Sequence, residues 1–131
     1  MYKIERRTSG YILTFSGLID PDEMQRWSDE SERILSTEKS SSFGVIINMK
    51  DLQALSSESQ ALMVNGQKKY KAKGMKRSAV ILNNEKICSQ FKNLAIQSGI
   101  YSTERYIDSS NNSDPINTAI NWVKDALDPD L

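Results

Sequence analysis

Three serines, Ser56, Ser57 and Ser59, follow an apolar run and open a stretch of helix-forming residues. A hydroxyl at a helix start has one distinctive chemistry open to it. Once phosphorylated, it sets a dianion against the free N–H groups and partial positive charge of the first turn. Ser57 is the candidate acceptor, with Ser56 beside it. Asp51, Ser57, Glu58 and Ser59 form the candidate contact surface for a partner. The plainer alternative is capping, because Ser57 with Gln60 three residues later fits a capping box. Glu58 works against a phosphate next to it.

A second candidate is the basic run Lys68, Lys69, Lys71, Lys73, Lys76 and Arg77, with Tyr70 inside it. Such a patch suits an acidic partner, a lipid head group or nucleic acid. Equally, cations near a helix C-terminus complement its dipole, and helical spacing spreads them around the cylinder. Seventeen basic and seventeen acidic residues cancel over the chain. With no net field and no nucleic-acid reading motif, nucleic acid is not expected as a partner.

The remaining reactive types are few. Cys88 is the lone cysteine and stands near a helix start, where thiol pKa values tend to fall. The chain holds no histidine, so a Cys–His nucleophile is excluded. Asp20, Glu23, Asp51 and Glu58 lie near helix starts, where capping or solvation explains each. No tight cluster of ligand types calls for a metal or a cofactor. Trp27, Tyr70 and Trp122 either line a cavity for an apolar ligand or fill core and seam positions. Enzymatic activity is not expected.

The elements that carry these residues alternate along 131 positions, a length that suits one domain over residues 1–131. Tyr2, Ile4 and Arg6 alternate with charged residues as an edge strand. A turn at Ser9-Gly10 leads to a partner strand over Tyr11–Ser16. Asp20 as cap, Pro21 at the first position and Glu23 start a helix with Met24, Trp27, Ile34 and Leu35 inward. Phe43–Met49 is almost continuously apolar, as a strand covered on both faces should be. A helix from Ser56 or Ser57 turns Leu62, Met63, Gly66 and Tyr70 inward and stops at Gly74. Ser78–Asn83 is a second buried strand. The third helix carries Ile87, Phe91, Leu94 and Ala95 on its inner face and stops at Ser98-Gly99. Arg105–Asp108 is the last strand. The fourth helix is capped by Asp114, faces inward through Ile116, Ala119, Ile120, Val123 and Leu127, and ends at Asp128-Pro129. The order β-β-α-β-α-β-α-β-α predicts a mixed, mostly parallel α/β sheet with an N-terminal antiparallel hairpin and packed helices.

Phe15-Ser16-Gly17 before the first helix, Val45–Met49, Gly74 before Ala79-Val80-Ile81, and Glu104–Asp108 followed by Ala119–Val123 carry a resemblance. With the element order, they make the chain similar to the STAS domain, the fold of bacterial anti-sigma factor antagonists. The likeness is to its SpoIIAA-like branch, whose fold is related to CRAL-TRIO (Sec14-like) lipid-binding domains. In phospho-switched members, a serine in Asp-Ser-Ser/Thr-Gly after the central strand accepts phosphate from a partner kinase. That position falls on Ser57. Asn48 and Ser56 stand where the family pattern has aspartates, and no glycine follows. The resemblance implies a regulatory protein–protein interaction module at residues 51–59, with a serine kinase or anti-sigma-type ATPase as partner. Its alternative is a small carrier or sensor of an apolar, lipid-like ligand.

No run approaches a membrane span and the N-terminus lacks a signal-like apolar stretch, so a cytoplasmic protein is expected. Oligomeric state is not readable from the residues.

Overall fold

The computed structural model describes residues 1–131. Its backbone follows the expected order: β1 (Tyr2–Arg7), β2 (Gly10–Gly17), α1 (Pro21–Ser36), β3 (Phe43–Leu52), α2 (Ser57–Lys73), β4 (Met75–Leu82), α3 (Glu85–Ser98), β5 (Glu104–Asp108) and α4 (Pro115–Asp125). A single 3₁₀ turn, Ile100–Ser102, precedes β5. The five strands lie side by side in chain order. β1 is antiparallel to β2, and every later pair is parallel.

That order dictates the layers. Right-handed crossovers that always step to the next strand in one direction place their helices on one face. α1, α2 and α3 therefore share a face, and α4 folds back over the other, against β3, β4 and β5. Strand alternation feeds both cores. Tyr11, Leu13, Phe15, Val45, Ile47, Val80 and Leu82 meet the first three helices. Ile12, Ile46, Ala79, Ile81 and Ile107 meet Ala119, Trp122 and Val123 of α4.

Trp27 is the hub of the larger core. It is fully buried, edge-on to Phe15 with centroids 5.0 Å apart, and stacked on Tyr70 at 6.3 Å. The Tyr70 hydroxyl donates to Ser31 Oγ at 2.7 Å, which satisfies two buried polar groups inside the α1–α2 contact. Gly66 makes this approach possible, because a Cβ there would lie 2.1 Å from the Trp27 ring.

Several boundaries differ from the sequence reading. The hairpin turns at Thr8-Ser9, and Gly10 already pairs with Arg7. Gly10 has φ +152°, and a Cβ there would strike the Gly44 carbonyl, so the strand crosses its neighbour closely at that point. α4 ends at Asp125, three residues before Asp128, and Leu127 is exposed. Arg77 explains the early stop: its guanidinium donates to the carbonyls of Trp122, Val123 and Lys124 at 3.0–3.3 Å, the groups a longer helix would use. On α3, Ala95 is buried as expected and Cys88 joins it, Phe91 is partly exposed but packs edge-on against Tyr106 of β5 at 5.8 Å, and Ile87 and Leu94 are exposed.

One carboxylate beneath the hairpin is tied into the fold. Glu38 accepts from the Tyr11 hydroxyl, the Ser40 N–H and Arg6 Nη2, and these bonds, with Tyr11 foremost, lower its pKa to about 2. Tyr11 is raised to about 12, first by burial and then by its bond to Glu38.

Gly66→Ala should destabilise the fold by about 1–3 kcal/mol through overpacking against Trp27, read by denaturant unfolding with a changed tryptophan emission. Because the folded-state pKa of Glu38 is depressed, its contribution is present above the ordinary carboxylate range and is lost as pH falls towards about 2. Glu38→Gln should remove that part of the acid-induced stability loss, and an unchanged acid titration would contradict the anchor.

Candidate functional site

β3 is the central strand and runs past β4 before the chain turns into α2. Ser16 and Gly17 of β2 still pair with Asp51 and Leu52, and the Gln53 N–H donates to the Gly17 carbonyl at 3.0 Å. The following loop is thus held against the β2–α1 connection. Ser56, not Ser57, is the N-cap: its backbone is extended and its Oγ accepts from the Ser59 N–H at 3.1 Å. Gln60 does not close a box onto Ser57; its Nε2 donates to the Leu55 carbonyl at 3.1 Å. The capping expectation at Ser57 is corrected by one residue, and the consequence is chemical. Ser57 occupies the first helical position, exposed, with its hydroxyl in no intramolecular hydrogen bond.

Ser59 is fully buried and donates to the Ile19 carbonyl at 3.3 Å, so it pins α2 to the β2–α1 loop and is not part of the surface. Asp51, Ser57 and Glu58 are exposed together with Gln53 and Ala54. Leu18 adds a large apolar side chain, 73% exposed, on the neighbouring connection at the same end of the sheet. This end, beyond the carboxyl ends of the parallel strands, is where α/β sheets usually meet ligands and partners. Its chemistry is that of a surface: an exposed hydroxyl, a first helical turn with free N–H groups, two carboxylates and an apolar side chain. A phosphate on Ser57 would gain from the helix terminus and lose to Glu58.

The basic run divides. Lys69 reaches back to α1, 3.7 Å from Glu32 and 3.5 Å from the Ser28 carbonyl. Lys69 and Lys73 flank a shallow depression against α1. Arg77 is engaged with the end of α4 and lies 5.8 Å from the Trp122 ring. Lys68, Lys71 and Lys76 instead surround a separate groove between α2 and the 3₁₀ turn.

The aromatic residues do not line a common cavity. Trp27 and Tyr70 belong to the core beneath α1 and α2, and Trp122 to the core beneath α4, where its Nε1 donates to the Ser78 carbonyl at 3.0 Å. Cys88 is buried, and burial pushes its thiol up to about 11, opposite to the drop expected from its place near a helix start. Asp20 caps α1 through the Glu23 N–H at 2.8 Å, while the Glu23 carboxylate pairs with the N-terminal amine at 3.1 Å. No three His, Cys, Asp or Glu side chains converge in a way that could hold a metal. No helix is long and apolar enough to cross a membrane.

Sequence reasoning missed Arg105. It is buried against the rings of Tyr101 at 3.8 Å and Trp122 at 4.2 Å, and makes two bonds to Asp128 at 2.9 and 3.0 Å. This clamp ties the chain after α4 to β5 and lowers the Asp128 pKa, chiefly through the hydrogen bonds from Arg105. Alternation with Ile107 was the available signal, since it places Arg105 on the α4 face.

No protein-family model and no curated protein matches the sequence. Among the solved structures that match its fold are two whose descriptions bear on it. One is an uncharacterised protein of the DUF3478 family with a SpoIIAA-like fold from Shewanella loihica PV-4. It is 18% identical, with a TM-score of 0.58, over 91% of this chain and 92% of that one. The other is the anti-sigma factor antagonist SpoIIAA in its unphosphorylated form. It is 12% identical, with a TM-score of 0.56, over 92% of this chain and 100% of that one. The chain has the SpoIIAA-like α/β fold, as the resemblance read from the sequence implies.

The division of labour between the adjacent serines is directly measurable. Ser56→Ala should cost about 1 kcal/mol of folding stability through the lost cap, whereas Ser57→Ala should stay within about 0.5 kcal/mol of the parent. Equal losses at both positions in denaturant unfolding would contradict the cap assignment.

Proposed function

We propose that this SpoIIAA-like fold serves as a non-enzymatic, cytoplasmic regulatory module that binds a protein partner through the start of α2 and the loop before it. The observation that carries this reading is Ser57. It is an exposed hydroxyl at the first position of α2, freed because Ser56 does the capping, at the end of the central strand. Asp51 and Glu58 flank it and Leu18 supplies an apolar contact nearby. The likeness to an anti-sigma factor antagonist supports a partner of the serine-kinase or anti-sigma-type ATPase class. Phosphate on Ser57 adds roughly −1.5 to −2 charges to a surface that already carries two carboxylates, and so changes its complementarity.

The alternative, a carrier of an apolar ligand, receives no support from the aromatic residues, because Trp27, Tyr70 and Phe15 pack against one another in the space beneath α2.

The test compares wild type, Ser57→Ala and Ser57→Asp as baits in extract of the source cells, with phosphopeptide mapping of the native protein. The expected result is a bound protein retained by Ser57→Ala and reduced at least about fivefold by Ser57→Asp, with phosphate found at Ser57. Identical recovery by all three baits and an unmodified Ser57 would sink the switch.

A further inference from the structure

α3 makes no extensive contact with α2. Its contacts are with β5, β4 and the 3₁₀ turn, while α2 packs on α1. A cleft therefore separates the two helices over β4 and β5. Each helix carries exposed apolar side chains. On the α2 side, Val64 is 49% exposed. Ile87, Phe91 and Leu94 recur at helical spacing on α3, and the same helix turns Cys88 and Lys92 towards the depression beside the C-terminal tail. With Ala95 and Cys88 inward, that rotation leaves Ile87 and Leu94 on the flank towards α2, while Phe91 between them packs edge-on against Tyr106 of β5 at 5.8 Å and is only partly free. Ile100 of the 3₁₀ turn, 44% exposed, continues the apolar wall at the lower end of the cleft.

At that lower end the cleft deepens into a groove of about 330 Å³ between α2 and the 3₁₀ turn, with Val64, Met75 and Ile100 in its walls. Lys68, Lys71 and Lys76 stand around it. None of the three has a carboxylate within 4.0 Å, although Lys69 on the opposite flank of α2 pairs with Glu32 and Lys92 pairs with Asp130. The carboxylate inside the groove, Glu104, is engaged by the Ser78 hydroxyl at 2.7 Å and by the Tyr106 hydroxyl. The groove thus sets the apolar side chains of Val64, Met75 and Ile100 among polar neighbours, with lysines at its rim, in a chain whose total charge is zero.

We infer that this cleft is the docking groove for an acidic amphipathic helix of a partner protein. Such a helix lays its apolar side chains between α2 and α3, against Val64 and Ile100, and sets Asp or Glu opposite Lys68, Lys71 and Lys76. The groove matches helix-in-groove recognition, in which apolar anchors at i, i+3 or i+4 and i+7 give area and flanking charges give register. A membrane surface fits less well, since the apolar residues line a concavity and do not form a tip. Nucleic acid fits less well because no aromatic side chain stands among the lysines for a base to stack on. The inference does not depend on Ser57, which lies at the opposite end of α2.

The test uses the full chain labelled with ¹⁵N and a synthetic helical peptide of about 16 residues, with Leu at i, i+4, i+7 and i+11 and Glu flanking that stripe. The expected result is saturable binding with amide shifts confined to Val64–Lys76, Ile87–Leu94 and Ile100–Glu104, weakened by salt of about 0.3 M. Lys68→Glu/Lys71→Glu/Lys76→Glu should weaken binding at least about tenfold. Val64→Ser/Ile100→Ser should weaken it about fivefold, and Ser57→Ala should leave it unchanged. All five substituted positions are exposed, so these variants should keep the parent's circular dichroism and unfolding midpoint. No binding, equal binding of a composition-matched scrambled peptide, or shifts elsewhere on the surface would overturn the inference. So would binding of phosphatidylserine vesicles or poly(U) through the same lysines in place of the peptide.

Discussion

The contact of Trp27 with Gly66 fixes more of this molecule than any other. Residue 66 can carry no side chain while the indole sits where a Cβ would go, and Tyr70, one turn on, stacks on the same ring. Those two positions set the rotation of α2 about its own axis. Once Gly66 and Tyr70 face α1 and the sheet, Ser59 must point inward, where it meets the Ile19 carbonyl. Ser57, Val64 and Lys71, spaced by seven, must then point outward along the opposite flank. The identity of the exposed serine and the placement of the lysines are thus consequences of one aromatic contact more than 10 Å from either end of the helix, by the 1.5 Å rise per residue.

What the sequence made legible was local. Asp20-Pro21 and Asp114-Pro115 combine a side-chain cap with a pre-set φ, and both start helices as read. Gly74 and Gly99 end helices in positive-φ conformations. The apolar run Phe43–Met49 had to be a strand covered on both faces, and it is. The candidate site was legible only to its neighbourhood. Ser56 and Ser57 are chemically identical as caps, and the choice between them rests on how far β3 extends before the loop, which is set by pairing with Ser16 and Gly17. Ser59 carries no mark of burial in its residue type. The inner face of α3 differs from the sequence reading at Ile87 and Leu94, because apolar residues repeat at the same period whether a helix turns them inward or outward, whereas Ala95 is buried and Phe91 reaches Tyr106. The shorter side chains at Cys88 and Ala95 are the ones that let α3 lie on β5.

Zero net charge conceals a strong local partition. Carboxylates are absorbed into the framework: Glu38 by Tyr11 and Arg6, Asp128 by Arg105, Glu104 by Ser78 and Tyr106, Glu23 by the N-terminal amine. These bonds hold connections that lack secondary structure, such as the loop before β3 and the chain after α4. Lys68 and Lys71 of α2 and Lys76 at the start of β4 line one groove without a carboxylate partner, while other unpaired cations, such as Arg26, Lys50 and Lys86, are dispersed over the surface. A surface charge that pairs with nothing contributes little to stability and is free to act on a partner. A sum over the whole chain cannot reveal such an arrangement, because it arises from where the acids are spent.

The two surfaces on α2 are separated by a distance that decides how they can communicate. From Ser57 to Lys71 is fourteen residues, about 21 Å along the helix axis at 1.5 Å per residue. The Debye length in physiological salt is about 8 Å, so a phosphate on Ser57 is screened from the lysines at the far end. Nor does α2 offer a bistable element between them, since Gly66 and Tyr70 lock its middle to α1. Electrostatic or conformational coupling within this chain is therefore weak. Coupling can still arise through a partner long enough to contact both ends of the same flank. In that case a change at Ser57 alters the effective concentration of the helix at the groove, and substitutions at the two ends become non-additive in binding while remaining additive in folding.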